Sequence, residues 1–340
     1  MGLVRTSRRR RHPSWAGPWP RNKELKIAWE IAARHQAGFT RAFLSAMRSV
    51  LDTETRKDFL QAYRTGVVEE VMAVLPFYSK DELARGFELP PGWRRFRDQI
   101  ERAYAKVIQD AGTVEMARLK KDFGVTIEFS LAEEKVKKAF TADGRFIPTV
   151  PVNPYSQKWI NERSLELITQ GLNETQRETV RRLLAEQFAK GARAEQAYEA
   201  VADSIGLTDR YTQAVENRRQ LHIDAGFPIA EANRLTSLYA ATLLASRAQT
   251  IARTETIAAM SQGRNAAWEM AMDAGQLPLD VERMWITGPE TADPNAPCKV
   301  CRPLDGVRAK VGAEYIPGVK MPPAHPRCRC TEALVRSTTR

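Results

Sequence analysis

The residues best suited to do chemistry lie near the C-terminal end of this 340-residue chain. They form two cysteine pairs, Cys298-Lys299-Val300-Cys301 and Cys328-Arg329-Cys330, separated by 26 residues, and His325 lies three positions before the second pair. A C-x-x-C segment can turn both of its sulfurs toward a common point, as in zinc knuckles. In an extended segment, residues two positions apart face the same side. The spacing therefore favours one tetrahedral zinc ion, held by four of these five side chains.

Three other arrangements of the thiols stay open at this point. Two disulfides would require oxidation, for example in a mature particle, because thiols in a cytoplasm are kept reduced. Four bare buried cysteines are a second alternative, although chance would scatter them along the chain. A catalytic cysteine paired with His325 is a third, but the sequence offers no orienting third group for such a pair.

The segment that carries these residues, 276–340, needs a source of stability other than a large apolar core. It is rich in proline and poor in apolar residues, with short strand-like pieces at 283–286 and after Cys328. Metal ligation is one way in which a small module of this kind is stabilised. We therefore expect a small α/β, cysteine-rich, zinc-bound module at the C-terminus.

Most of the preceding chain carries a helical pattern, with apolar residues three and four positions apart. The pattern predicts helices between 22 and 75, between 93 and 123, and between 173 and 274. Glycines are expected to end the individual helices before 229. Because the pattern from 229 to about 274 is too long for one ordinary helix, we expect it to break or bend near 246–249. The alternating residues 125–129 predict a strand. The predicted fold is mainly α, with long helices and a helical bundle before the C-terminal module.

Proline, glycine and charge also divide the chain into consecutive segments. A basic and proline-rich flexible arm is expected at 1–21, an N-terminal helical domain at 22–140 and a linker at 141–154. A second helical domain is expected at 155–275, ahead of the module at 276–340.

The chain is strongly basic, with 52 Lys and Arg against 41 Asp and Glu and a net charge of +11. Such a balance favours nucleic acid or an acidic protein surface as a partner. The arm concentrates five of these charges, which we expect to contact nucleic acid or a partner protein: Arg5, Arg8, Arg9, Arg10 and Arg11. A secretory signal would have an apolar core directly after these arginines, but the segment that follows is rich in proline and tryptophan. Separately, no apolar run in the sequence is long enough to span a membrane. Residence in a cytoplasm is therefore expected.

Several short motifs in a fixed order make the chain resemble the phage Mu F-like family of head-morphogenesis proteins. The resemblance covers roughly 155–334, and the string between the two cysteine pairs is its most specific part. Where family members commonly carry Asn, this chain has Arg327. The motifs, in order, are Ile251-Ala252-Arg253-Thr254-Glu255-Thr256, Gly263, Trp268, Trp285, Cys298-Lys299-Val300-Cys301, Leu304-Asp305-Gly306 and Pro322-Pro323-Ala324-His325-Pro326-Arg327-Cys328-Arg329-Cys330.

This resemblance implies a minor capsid component that associates with the portal, contacts capsid or scaffold proteins and acts in head assembly or DNA delivery. It would be present in the host cytoplasm during assembly and then in the virion, in the capsid interior or at the portal vertex. Two alternatives are a DNA-binding protein that uses a basic zinc module and, less favoured, a metal-dependent nuclease or hydrolase. The sequence contains no phosphate loop, no G-x-S-x-G and no H-E-x-x-H, so no enzyme is expected.

The Arg-Thr-Glu motif predicts contacts that hold the helix to the cysteine module. Arg253 and Glu255 are two residues apart, so on a helix they point in directions about 200° apart and cannot pair with each other. Each needs its own partner; one hypothesis is that Arg253 pairs with Asp305, and the alternative is that this face of the helix is solvated. Trp285, Asp305 and Gly306 are expected to be structural residues of the module.

Overall fold

A computed structural model of the protein describes residues 20–51, 53–75, 77, 91–129, 153–171, 174–278, 280–288 and 298–336. The basic arm with Arg5 to Arg11 and nearly all of the expected linker lie outside the described residues.

The prediction of a mainly helical fold with a small C-terminal module is confirmed. The described residues form nine α-helices: α1 (Pro20–Val50), α2 (Thr53–Tyr63), α3 (Val68–Ala73), α4 (Pro91–Phe123), α5 (Pro154–Gly171), α6 (Glu174–Ala189), α7 (Ala194–Ser204), α8 (Asp209–Asp224) and α9 (Ile229–Asp273). Gly191 and Gly206 follow α6 and α7 with positive φ angles of 62° and 76°, the conformation in which glycine ends a helix without strain. Among the helices described, none has a stretch long and apolar enough to cross a membrane.

The described residues group into two compact units that interleave along the sequence. Unit 1 comprises those within Met1–Ala37, Ala103–Trp159 and Ile251–Arg340, and unit 2 those within Gly38–Arg102 and Ile160–Thr250. These units differ from the consecutive segments expected from the sequence, because α1, α4, α5 and α9 each contribute residues to both units. Independent folding of the consecutive segments stays a prediction.

Unit 2 is helical, and aromatic rings form much of its interior. The rings of Tyr63 and Phe188 stack with centroids 4.3 Å apart, and Phe59 packs edge-on against Tyr198 at 5.3 Å. Such ring pairs stabilise a core beyond the area that they bury. Unit 2 therefore gains its stability from conventional apolar packing between helices.

The long C-terminal helix has no break near 246–249, so the expected break is wrong, while a bend at this point stays a prediction. Helix α9 is continuous from Ile229 to Asp273. At the expected break, the Thr250 hydroxyl donates to the Ser246 carbonyl 3.1 Å away, within the same helix. Hydroxyl groups that bond the carbonyl four residues earlier are compatible with a continuous helix.

Residues 125–129 form no strand, which corrects a second expectation. The backbone N–H groups of Thr126 and Ile127 donate to the side-chain oxygen of Gln276, at 2.7 and 3.3 Å. Because a side chain accepts from these donors, no neighbouring strand is required.

The C-terminal part of unit 1 is a three-stranded antiparallel sheet in the order β2-β1-β3. Its strands are β1 (Val281–Ile286), β2 (Arg308–Lys310) and β3 (Thr331–Arg336), with a single 3₁₀ turn at Arg302–Leu304. Trp285 pairs with Glu332 and Met284 with Arg308 across the sheet. The predicted strands at 283–286 and after Cys328 are confirmed.

Candidate metal centre

Two cysteine pairs, separated by 26 residues in the chain, meet beside Trp285 of β1. The Cys301 and Cys328 sulfurs are 3.8 Å apart, and the Cys298 sulfur lies 3.1 Å from Nε2 of His325. The donor atoms form two overlapping groups, each with all atoms within 4.8 Å of one another. One group contains Cys298, Cys301 and His325, and the other contains Cys301, Cys328 and Cys330. The structure therefore brings together all five residues that the sequence singled out.

The cluster is shielded from water and packed against apolar side chains. All four cysteines are buried, and they share a core with Trp285, Leu304, Ala309 and Tyr315. Although β3 begins at Thr331, the side chains alternate before it, with Cys328 and Cys330 fully buried and Arg329 half-exposed. Alternation within an extended segment thus aims both sulfurs at the cluster, as predicted.

Hydrogen bonds within the cluster favour one thiolate. Bonds to Cys301 and Cys330 lower the pKa of Cys328, and the bond to Cys328 raises the pKa of Cys301. The hydrogen bond to Cys328 also raises the pKa of His325 to about 9, although burial opposes this shift. The cluster therefore stabilises negative charge at Cys328, the form of a thiol that binds a metal.

Backbone N–H groups also point at the sulfurs. The Gly288 N–H donates to Sγ of Cys330 at 3.4 Å, and the Cys330 N–H donates to Sγ of Cys328 at 3.5 Å. A Cβ at Gly288 would lie 2.1 Å from the Arg329 carbonyl oxygen, so only glycine permits this close approach. Donors to sulfur stabilise thiolates and orient metal ligands.

The Leu-Asp-Gly turn fixes the first cysteine pair to the end of β1. The Gly306 N–H donates to the Trp285 carbonyl at 2.9 Å, and Asp305 Oδ1 accepts from the Thr287 N–H at 2.8 Å. The Thr287 hydroxyl in turn donates to the Cys301 carbonyl at 3.0 Å. These bonds give Trp285, Asp305 and Gly306 defined structural positions beside the sulfurs.

The Arg-Thr-Glu motif of α9 contacts the second cysteine pair through its middle residue. The Thr254 hydroxyl accepts from the Arg327 N–H at 3.1 Å, while Glu255 accepts from the Tyr104 hydroxyl at 2.7 Å. Arg253 forms no ion pair with Asp305 within the described residues, so that hypothesis is wrong. The Asp305 carboxylate instead holds the backbone of Thr287, and Thr254 supplies the hydrogen bond to the module.

Arg253 lies in a positively charged environment beside the cluster. Burial lowers its pKa, as does repulsion from Arg329 and Arg327, while the Cys328 thiolate acts in the opposite direction. The Nε atoms of Arg253 and Arg329 are buried and have no hydrogen-bond partner in the described part of the chain.

A buried ionic network shares Tyr315 with the cluster and is not among the features expected above from the sequence. Arg283 is fully buried, and its guanidinium lies 3.1 Å from Glu332 Oε2 and donates to the carbonyls of Lys320 and Lys310. Tyr315 also donates to Glu332, at 3.0 Å. Burial raises the pKa of Glu332, and Arg283 opposes that shift.

A second buried arginine, Arg264 of α9, connects the sheet to two helices of unit 1. It forms ion pairs with Glu24 of α1 at 2.7 Å and with Glu115 of α4 at 3.4 Å, and it donates to Thr331 of β3 at 3.0 Å. Burial by itself lowers the pKa of Arg264, but Glu115 and Glu24 raise it above its ordinary value. Nε1 of Trp268 donates to Glu115 at 2.8 Å, so this tryptophan, one of the motif residues quoted for the family resemblance, holds a partner of Arg264 in place.

One of these buried charges has a signal in the sequence that could have located it. Arg283 lies two residues from both Val281 and Trp285, so the strand pattern places it on their buried face. Arg264 has no comparable signal, because its two glutamates lie 149 and 240 residues away along the chain.

Comparison with protein families agrees with these observations. Residues 178–333 match the family model described as Phage Mu protein F like protein. No curated protein and no solved structure matches the chain. The matched range contains the second half of the helical region, the Arg-Thr-Glu motif and both cysteine pairs. Residues 178–333 therefore form a phage Mu F-like region, that of the head-morphogenesis proteins, as the motif string indicates.

Proposed function

We propose that this protein is a minor capsid component that associates with the portal and acts in phage head assembly or DNA delivery. Membership of residues 178–333 in a head-morphogenesis family supports the general role. The single structural observation that carries the proposal further is the convergence of four cysteines and His325, because it gives the end of this region a fixed shape for docking.

We further propose that four of the five side chains hold a structural zinc ion. A tetrahedral zinc with Zn–S bonds of about 2.3 Å places its sulfur ligands roughly 3.8 Å apart. The Cys301 and Cys328 sulfurs have this separation, at 3.8 Å. The donor set, buried and rich in sulfur, suits zinc better than magnesium or calcium, which prefer oxygen ligands. When bound, the ion would cross-link the C-x-x-C turn to the segment before β3.

A structural role for this centre is favoured over catalysis. Zinc in a catalytic site keeps one position open for water or substrate, whereas here five protein donors compete for four positions. The cluster is also walled by Trp285 and Tyr315, whose rings pack edge-on at 5.2 Å. These features support a module that binds partners and performs no reaction of its own.

The partners that fit this role are the portal protein, capsid or scaffold proteins, and the packaged DNA. A net charge of +11 supports association with acidic surfaces of any of these. The protein would act in the host cytoplasm while heads assemble and would then remain in the virion, in the capsid interior or at the portal vertex.

The proposal is tested by co-expressing the full chain with the portal protein of the same phage and purifying the complex under reducing conditions. We expect co-purification and close to one zinc per chain by elemental analysis. A Cys301→Ser variant, which removes the donor common to both groups, should lose zinc and portal association together. A metal-loaded chain that never co-purifies with the portal would contradict the assembly role, and a metal-free chain that does would contradict the zinc centre.

A second candidate function, DNA binding by the module, is favoured by its charge. Residues 298–336 contain eight Lys and Arg against three Asp and Glu, and the buried Glu332 is one of those three acids. Clustered positive charge on a small folded module is the usual footprint of contact with a phosphate backbone.

A further inference from the structure

Three arginines from two segments of unit 1 gather beside Cys328. Arg253 comes from α9, and Arg327 and Arg329 flank the cysteine; charge repulsion from both of them acts on Arg253. Hydrogen bonds of the backbone hold the two flanking residues in place. The Arg327 N–H donates to Thr254, and the Arg329 carbonyl accepts from Nε1 of Trp29 at 3.3 Å.

This arginine triad (Arg253, Arg327 and Arg329) lacks a carboxylate partner among the described residues. The charges that act on Arg253 are the other two arginines and the Cys328 thiolate, with no Asp or Glu among them. The Nε atoms of Arg253 and Arg329 are buried without an acceptor in the described part of the chain. Elsewhere in unit 1, Arg264 and Arg283 are each paired with glutamate, so the triad differs from both of these buried arginines.

Arg327 also occupies a backbone conformation that arginine rarely adopts. Its φ angle is +61°, in the left-handed region where Gly and Asn are favoured. Its side chain is exposed. Asn would suit this backbone better and would remove a charge that its neighbours repel, so the backbone gives no reason for an arginine at this position.

We propose that the arginine triad is a binding site for backbone phosphate groups of DNA. A guanidinium donates two parallel hydrogen bonds to phosphate oxygens, and an anion between three guanidiniums relieves their mutual repulsion. Lys299, between the other two cysteines, and Arg302, directly after them, are both exposed and extend the positive surface of the module. The inference rests on the proposed function in requiring a folded cysteine module, and it is independent of portal association.

A different use of the triad would be to neutralise the thiolates of a zinc centre. Four thiolates around Zn²⁺ leave a net negative charge, which nearby guanidiniums would offset. The two uses predict different losses when the arginines are replaced: loss of bound zinc for the first, and loss of DNA affinity for the second. Without the counter-charge, zinc retention weakens, whereas removal of a phosphate site leaves zinc in place and weakens DNA binding.

The test uses the full zinc-loaded chain and a fluorescent DNA duplex of about 30 base pairs, with anisotropy measured from about 50 to 200 mM salt. The variants are Arg327→Asn alone and the triple Arg253→Gln, Arg327→Asn, Arg329→Gln. The matched control, Lys57→Gln, Arg64→Gln, Arg210→Gln, removes the same charge from exposed positions of unit 2. Zinc content, thermal unfolding and portal co-purification are measured in parallel.

We expect the triple variant to keep its zinc and bind DNA at least roughly tenfold more weakly, with the salt slope reduced by about 0.9 for each phosphate that the variant no longer neutralises. Arg327→Asn should show a smaller decrease in affinity without unfolding, which keeps the test valid if the triple variant is unstable. Equal weakening by the control, unchanged binding, or loss of zinc without selective loss of DNA binding would overturn the proposal. Loss of portal association alone would also overturn it and would assign the triad to a protein contact.

Discussion

The two compact units bury different kinds of side chain. In unit 1, Arg283 and Glu332 are completely buried and paired with each other, and four cysteines lie beside them. In unit 2, the interior is built mainly from aliphatic side chains such as Leu184 and Val201, together with aromatic rings such as Phe59 and Tyr63. Removing one partner of a buried ion pair leaves an uncompensated charge, whereas trimming an apolar core costs free energy in proportion to what is removed. Unit 1 should therefore be the more sensitive of the two units to the loss of a single charged side chain.

The reason for the difference lies in the size of the C-terminal module. Its sheet has three strands, one of them only three residues long, and cannot bury a large apolar area. A small module gains order instead from metal ligands and from fully paired polar groups. Helices of 11 to 16 residues, such as α6 to α8, supply apolar faces and depend less on either.

The largest effect should come from removal of the metal. Chelation of the zinc-loaded chain under reducing conditions should abolish hydrogen-exchange protection in 281–336, because structural zinc is worth about 10–16 kcal/mol in small peptides and folding depends on it. Peptides from α6 to α8 of unit 2 should keep their protection. Adding zinc back should restore the module. If chelation leaves 281–336 as protected as before, the distinction between the units does not depend on a metal.

A smaller but still large effect is expected from Arg283→Met. It leaves Glu332 buried without its cationic partner, which should lower the free energy of unfolding by about 3–5 kcal/mol in urea denaturation. Adding Glu332→Gln to this variant should recover part of the stability, because the buried carboxylate that lost its partner is then replaced by a neutral amide.

The matched control is Arg234→Met in unit 2, where Arg234 pairs with Glu231 at 2.7 Å on an exposed surface. Exposed pairs contribute little, so the midpoint should barely move. Equal destabilisation by Arg283→Met and Arg234→Met would remove the contrast between a buried and an exposed pair.

The parts of this contrast that depend on local pattern can be predicted from the sequence. Spacing alone singles out both cysteine pairs and His325, and alternation predicts the strands beside them. Each half of the cysteine cluster is predictable without knowledge of the fold, because local spacing presents the two sulfurs of a pair together, whereas the meeting of the two pairs depends on the fold.

The parts that depend on long-range packing cannot be predicted in this way. The partners of Arg264 are glutamates on α1 and α4, and no local pattern links them to it. The continuity of α9 escapes prediction for a related reason: different parts of the helix pack in different units, so its overall pattern has no single apolar face. Contacts of this kind are decided by the tertiary structure, which overrides local propensity.

A third test compares two glycines within helices. At Gly263 of α9, an added Cβ would lie 2.5 Å from the Ile108 carbonyl oxygen, so Gly263→Ala should destabilise unit 1 by about 1–3 kcal/mol through overpacking. At Gly38 of α1, nothing lies within 4 Å, so Gly38→Ala should stabilise the protein by up to about 1 kcal/mol through helix propensity. Opposite signs in thermal unfolding are the expected result; destabilisation by both would mean that crowding does not distinguish these sites.

The smallest expected effect concerns the partly buried carboxyl of Asp203 in unit 2. Burial raises its pKa from 3.8 to about 6, although Arg219 at 3.0 Å and Ser237 act against the shift. A folded-state pKa above the unfolded value means that the folded protein binds the extra proton, so this contribution to stability is lost as pH rises from about 4 to about 6. When the pH is lowered from 7 to 5, the free energy of unfolding of the wild-type protein should increase by about 1 kcal/mol relative to that of Asp203→Asn, whose side chain at this position cannot titrate. Urea denaturation of both proteins at the two pH values gives this double difference, in which titrating groups that do not interact with Asp203 cancel. A difference of the opposite sign would mean that Arg219 outweighs burial, and that unit 2 holds an ion pair as firmly as unit 1 does.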